Sequence, residues 1–251
     1  MIEYNPFTLQ GKTILVTGAS SGIGAVTAIE CSKFGANIIV TGRDEMRLQE
    51  VYGQLDGSIS QKHHSIIADL TDEMSLKTMV EQLGEVDGVV NNAGVNRVKP
   101  VAFIKQEDMD YVFSTNLFAS FNLFHLLLRK KKLKKNCSIV FTSSISAFYN
   151  APGRALYASS KAALTAYMRS LAVELADKGV RVNAVHPGLV ETKMIEENLS
   201  EEERIKNIEE YPLKRFGKPE DIAWAIIYLL SDASAWMTGT SLIVDGGFML
   251  K

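Results

Sequence analysis

The sequence predicts an α/β fold, a doubly wound sandwich with a seven-stranded parallel sheet flanked by helices on both faces, and three observations carry that prediction. Seven short runs rich in β-branched residues recur with little polar alternation, as strands covered on both faces require. Longer segments with a helical period lie between them, so each strand–helix–strand step reads as a right-handed βαβ unit. No repeat or low-complexity linker divides the 251 residues, so residues 1–251 are expected to form one domain.

In chain order, the first strand is Ile14-Leu-Val16, and the first helix, Ile23 to Phe34, follows the turn Thr17-Gly18-Ala-Ser-Ser-Gly22-Ile-Gly24. Ile38-Ile-Val40 and Ile66-Ile-Ala68 are the second and third strands, each followed by a helix, Glu45 to Leu55 and Met74 to Leu83. Val86 to Val90 is the fourth strand, and one long helix, Asp108 to Lys131, leads to the fifth, Ile139-Val-Phe141. Ala155 to Lys178 crosses to the sixth, Val182 to Val185, and Pro219 to Leu230 crosses to the seventh, Leu242-Ile-Val244. The stretch from Thr192 to Leu213 breaks the rhythm. It is acidic (Glu196, Glu197, Glu201, Glu202, Glu203), with scattered apolar residues at Met194, Ile195, Leu199, Ile205 and Ile208, and is expected to form a small helical lid over a site at about 192–213.

Composition excludes several classes of function. Hydrophobic content of 46%, charged content of 22% and a net charge of −2 are those of an ordinary soluble domain, with nothing that asks for nucleic acid. The longest uninterrupted apolar stretch, Ile222 to Leu230, is about half of a bilayer span, so no membrane role is expected. The two cysteines, Cys31 and Cys137, sit in apolar segments and the first thirty residues carry no secretory pattern, which points to a reducing, cytoplasmic setting. His63, His64, His125 and His186 show no ligand spacing, so no metal site is expected.

Two motifs carry chemistry. Glycines in the turn after the first strand let the backbone approach a phosphate, while the free amides of the following helix N-terminus favour the anion, so Gly18, Ser20, Ser21, Gly22, Ile23 and Gly24 are candidate contacts of a dinucleotide pyrophosphate in a Rossmann-type domain. The second strand ends Val40-Thr-Gly42-Arg43, with no acid for a free ribose 2′-hydroxyl. Arg43, helped by Ser20, would accommodate a 2′-phosphate, which predicts NADP(H) in preference to NAD(H). The second motif is Tyr157-Ala-Ser-Ser-Lys161. Four helical residues at about 100° each bring both side chains to one face, where a fixed cation is expected to lower the phenol's pKa and make Tyr157 a usable acid and base.

With these residues in place, the chain resembles the short-chain dehydrogenases/reductases, in the branch that includes the 3-oxoacyl-carrier-protein reductases. The resemblance covers nearly the whole chain and rests on Thr17-Gly-x-x-x-Gly-Ile-Gly24, Asp69, Asn91-Asn-Ala-Gly94, Asn116, Ser144, Tyr157-x-x-x-Lys161, and Pro187-Gly188 with Thr192. It implies that Tyr157 is the general acid/base, that Lys161 lowers its pKa and holds the nicotinamide ribose, and that Ser144, rather than adjacent Ser143, bonds the substrate oxygen. Asn116 would disturb its helix and hold a water that links Lys161 to solvent. Asp69 and Leu70 would touch the adenine, Asn91, Asn92, Ala93 and Gly94 the adenosine ribose, and Pro187, Gly188, Val190 and Thr192 the nicotinamide end.

The implied reaction is NADPH-dependent reduction of a ketone to an alcohol, with a 3-oxoacyl thioester as the first substrate expected. A polyol, sugar-acid or steroid alcohol dehydrogenase is the alternative, and a catalytically silent NADP(H)-binding redox sensor is an alternative of another class. The basic run Arg129 to Lys135 reads as a solvated helix end. By resemblance, Lys135 and Lys178 would flank the active-site entrance and meet an acidic acyl carrier protein. Phe103 is expected to pack in the core, with Phe148 and Tyr149 open to either core or substrate roles. A homotetramer is likewise expected from the resemblance.

Overall fold

The computed structural model describes residues 5–193 and 200–250. Seven strands form a single parallel sheet: β1 (Thr13–Thr17), β2 (Asn37–Gly42), β3 (His64–Ile67), β4 (Val86–Asn91), β5 (Leu133–Thr142), β6 (Arg181–Pro187) and β7 (Ser241–Val244). Their order is β3-β2-β1-β4-β5-β6-β7, so the winding reverses between β1 and β4 and a crevice opens at the carboxyl ends there.

The apolar runs form strands because each feeds two cores. Alternate residues of a strand point to opposite faces. Leu15, Val89, Ile139 and Phe141 therefore join one cluster, while Ile14, Val16, Val90 and Val140 join the other. The first face is covered by α3 (Glu73–Gln82), α5 (Ala119–Arg129) and α6 (Ala155–Leu175), and the second by α1 (Gly22–Lys33), α2 (Glu45–Tyr52) and α8 (Pro219–Leu230). Helix starts follow local chemistry. Asp44 and Asp72 cap α2 and α3 by accepting from the amides of Arg47 and Ser75, and Pro219 sets the first turn of α8. Burial on both faces does not extend to the sheet edges, where Ile67 of β3 and Ile243 of β7 are exposed. The third strand also starts earlier than the apolar run implies, at His64, and stops before Ala68.

The long helix expected over Asp108 to Lys131 is interrupted. It runs as α4 (Gln106–Phe113), a π-helical segment (Ser114–Phe118) and α5, with the Ala119 amide bonding to the Ser114 carbonyl. Over Gln106–Arg129 this rod is long and apolar enough to cross a bilayer by length and composition, although interspersed polar residues break its apolar runs. Here its inner side, with Val112, Leu117, Leu123, Phe124 and Leu127, is buried within the fold.

The basic run is not simply a helix end. The helix stops at Arg129, Lys131 turns the chain with a φ of 53°, and Lys134 and Lys135 already belong to β5, where Lys134 pairs with Asp87 at 2.8 Å. Lys135 and Lys178 do lie near one another, since Gly179 sits against Asn136. Lys178 precedes β6 and Lys135 is the third residue of β5, so both lie toward the amino-terminal edge of the parallel sheet, opposite the crevice, rather than flanking its entrance. Phe103 is 67% exposed and does not pack in the core. In the region expected to form a lid, α7 (Glu201–Glu210) starts with a capping box in which Ser200 and Glu203 bond reciprocally. Met194, Ile195, Glu196, Glu197 and Leu199 lie outside the described residues.

Candidate active site

A cavity of about 940 Å³ opens at the carboxyl ends of the strands around the β1/β4 switch point. Its nucleotide half is built by two turns bonded back to back. Thr17 Oγ1 accepts from the amides of Asn92 (3.0 Å) and Ala93 (3.2 Å), and Asn92 Nδ2 returns a bond to the Thr17 carbonyl at 3.2 Å. Gly18 has a φ of +62°, and a methyl there would fall 2.8 Å from Ala93 Cα, so only glycine permits the two backbones to meet.

Gly18, Ser20, Ser21, Gly22 and Ile23 line the cavity, as do Asn92, Ala93 and Gly94. Gly24 is absent from the wall. A side chain there would collide with the Gly18 carbonyl, so its role is to let α1 close against the turn. Asn91 also stays inside, donating to Ser120 at 2.8 Å. Arg43, Asp69 and Leu70 line the far end. The Arg43 guanidinium stands 3.8 Å from the Asp69 carboxylate, both partly exposed. Partial burial opposes ionisation of Asp69, but bonds from the Thr71 hydroxyl and amide, together with Arg43, hold its carboxyl below the ordinary value. Ser20 Oγ packs against Gly42, next to Arg43.

The chemical half centres on α6. Tyr157 and Lys161 line the same cavity one helical turn apart, with the Lys161 ammonium 5.7 Å from the Tyr157 ring centroid. Lys161 is 3% exposed and donates to the Thr142 carbonyl at 2.8 Å. Burial depresses its pKa from 10.5 to about 8. The expected lowering of the Tyr157 pKa is not the net result. Burial raises the phenol, the Ser144 hydroxyl and the Arg154 charge pull it down without overcoming that cost, and Lys161 is not among the causes.

Ser144 follows β5 at the cavity wall, with its hydroxyl accepting from the Ser146 amide at 3.1 Å. Neighbouring Ser143 instead donates to the Lys161 carbonyl (3.2 Å) and meets Thr165 (3.0 Å), which leaves Ser144 facing Tyr157. Asn116 does not line the cavity. Fully buried in the π-helical segment, it accepts from the Val95 amide (2.7 Å) and donates to the Val95 carbonyl and Ser160 Oγ, each at 2.9 Å. Its Oδ1 and Lys161 Nζ nevertheless border one small space, at 3.3 and 3.4 Å from where a methyl on Gly94 would sit. Pro187, Gly188, Val190 and Thr192 complete the wall from β6 onward.

Sequence reasoning passed over three further residues. His186 Nδ1 donates to the Ser144 carbonyl at 3.0 Å, while its buried Nε2 has no partner among the described residues. Its ring packs against Phe148, tilted by 37° with 4.8 Å between centroids. Tyr211, buried after α7, accepts from the Leu189 amide at 2.8 Å. Arg154 occupies the N-cap position of α6 and lines the cavity with Tyr157. Neither His186 nor Tyr211 has a local signal, since each acts on a partner from another part of the chain, and Arg154, three residues before Tyr157, stands outside the motif. Tyr149 meets Phe248 edge to face at 5.2 Å on the open side of the cavity.

A family model described as enoyl-(acyl carrier protein) reductase matches residues 18–249. The 3-oxoacyl-(acyl-carrier-protein) reductase of Thermotoga maritima is 37% identical over 246 residues, covering 96% of this chain and 99% of that protein. Its counterpart from Aquifex aeolicus is 37% identical over 243 residues, covering 95% and 98%. Among solved structures, a putative short-chain alcohol dehydrogenase from Sinorhizobium meliloti superposes with a TM-score of 0.91 at 31% identity, covering 98% of this chain and 100% of that one. A 7α-hydroxysteroid dehydrogenase complexed with NADH and 7-oxo glycochenodeoxycholic acid gives 0.90 at 30% identity, covering 97% of each chain.

Proposed function

The chain belongs to the short-chain dehydrogenase/reductase family, and from that premise we propose that this oxidoreductase reduces the ketone of a 3-oxoacyl thioester to the alcohol, with Tyr157 as general acid. The observation that carries the proposal is the convergence of the Tyr157 and Ser144 hydroxyls on the cavity, with a buried ammonium, Lys161, one turn behind. The cavity residues fit a nicotinamide dinucleotide. The left-handed Gly18 and the bonded Thr17 and Asn92 turns leave backbone, not side chain, at the phosphate position. Arg43 and Ser20 at the end of β2 favour NADP(H) over NAD(H).

When bound, the reduced nicotinamide supplies the hydride. Ser144 donates a hydrogen bond to the substrate oxygen and stabilises the charge that develops on it. Tyr157 gives its proton to that oxygen. Its raised pKa keeps the phenol protonated at neutral pH, the form that reduction needs. Lys161 positions the nicotinamide ribose, and Asn116, braced on Val95, borders the space through which a water would return the proton.

The named relatives favour the thioester substrate, and Asn207 and Glu210 on α7 reach the cavity as a lid over it would. A carrier protein delivering the substrate to this cleft docks on its rim, away from Lys135 and Lys178 of the same chain. Exposed Phe118 at the end of the π-helical segment, Phe121 on α5 and Val173 on α6 suit the helix pairing of a homotetramer in the cytoplasm.

The test is NADPH oxidation with an acetoacetyl thioester. Tyr157→Phe should lower kcat by about 100-fold or more while leaving NADPH affinity intact, and a variant keeping a tenth of the activity ends the mechanism. Arg43→Ala should lower kcat/KM for NADPH about 10-fold or more and leave NADH little changed. Equal losses with both cofactors would refute the 2′-phosphate role.

A further inference from the structure

Among the described residues, Arg154 is a cation without a counter-ion in the chemical half of the cavity. It makes no side-chain hydrogen bond or ion pair among the described residues, although other arginines such as Arg97, Arg204 and Arg215 are paired. Glu210 lines the same cavity but does not pair with it. The backbone of Arg154 is held in place. Its amide donates to the Ala151 carbonyl at 3.2 Å, its carbonyl accepts from Ala158 at 2.8 Å, and Lys99 braces the preceding Gly153 at 2.8 Å. The charge therefore has a defined origin, and it is felt by both the Tyr157 and the Tyr211 phenols on either side.

We propose that Arg154 binds the carboxylate of a free 3-oxo acid, giving the protein a second activity on short oxo acids beside the thioester reduction on whose reading this rests. A neutral thioester oxygen would use one donor of the guanidinium, whereas a carboxylate uses the planar fork and the charge together. The distance selects the class. Arg154 and Tyr157 stand one helical turn apart, about 5–6 Å between side-chain bases. The anion must therefore lie within a few bonds of the carbonyl, which excludes a phosphate at the far end of a carrier arm. In the reaction the oxo carbon takes a hydride from the reduced nicotinamide dinucleotide and its oxygen takes the Tyr157 proton. The alcohol and the oxidised dinucleotide result, and the carboxylate is unchanged.

The experiment compares acetoacetate with the uncharged S-acetoacetyl-N-acetylcysteamine, using NADPH and the wild-type, Arg154→Gln and Arg154→Lys proteins. The readout is the ratio of kcat/KM for acid over thioester, in which any general effect of Arg154 on Tyr157 or on folding cancels. Arg154→Gln should lower that ratio about 30-fold through KM for the acid, with Arg154→Lys between it and the wild type. A ratio that moves less than about threefold, or a wild-type protein that reduces the thioester but not the acid, overturns the proposal. Reduction of neither overturns the ketone-reductase reading beneath it as well.

Discussion

Lys161→Met should stabilise the protein while abolishing turnover, because the ammonium is almost wholly buried. Lys161 is 3% exposed, and burial takes its pKa from 10.5 to about 8. A displacement of that size corresponds to roughly 3 kcal/mol of penalty on the charged form at neutral pH. The hydrogen bond given up, from Nζ to the Thr142 carbonyl at 2.8 Å, takes back about 1 kcal/mol. Methionine fills a similar linear volume, so about 2 kcal/mol should remain in its favour, or a Tm higher by roughly 4–8 °C. The pH dependence gives a second check. The folded pKa lies below the unfolded one, so the wild-type penalty is fully present below pH 8 and is relieved as pH climbs from 8 to 10.5. The advantage of methionine should shrink across that interval. Urea denaturation of both proteins at pH 7, 9 and 10.5 measures it. A variant less stable than wild type at pH 7, or a gap that stays constant to pH 10.5, would refute the reasoning.

Asn116→Ala strips three buried hydrogen bonds, two to the Val95 backbone and one to Ser160, and should cost about 3 kcal/mol in urea denaturation. A loss of activity without loss of stability would mean that Asn116 acts on chemistry alone. His186 is pushed below its ordinary pKa by burial, so the unfolded chain takes up the proton first, and stability should fall as pH drops below about 6.5. His186→Asn keeps a donor near the position of Nδ1 and should preserve kcat while flattening that acid slope, whereas His186→Leu frees the Ser144 carbonyl and should lower kcat about 10-fold. Denaturation at pH 5 and 7 together with the two kcat values checks both, and equal kcat for the two variants would show that the Ser144 bond is not used.

What was legible in the sequence shares one property: its cause is local. The doubly covered strands are readable because Ile14, Leu15 and Val16 must each be apolar whichever face they meet. The glycine turn after β1 is readable because Gly18 and Gly22 need a left-handed backbone whatever surrounds them. The Tyr157–Lys161 spacing is a helix property. The misreadings depend on partners distant in the chain. Lys134 is a strand residue because Asp87 and β4 lie beside it, while the disturbance of the helix at Asn116, which only the resemblance implied, is a π-helical segment over Ser114–Phe118 where Asn116 accepts from the distant Val95 amide.

The Tyr157 pKa shows the same division inside the site. Charge neighbours can be read from spacing, and spacing alone says that Lys161 should pull the phenol down. Desolvation cannot be read that way, since it is the sum of everything the fold places around a group. Around Tyr157 it outweighs both the Ser144 bond and the Arg154 charge, while at Lys161 it drives the cation toward neutrality. The site thus holds a phenol that resists losing its proton beside an amine that resists keeping one. Their ordinary order, 10.0 for the phenol and 10.5 for the ammonium, is thereby reversed and the gap between them opened, so the phenol keeps its proton at neutral pH until a substrate oxygen takes it.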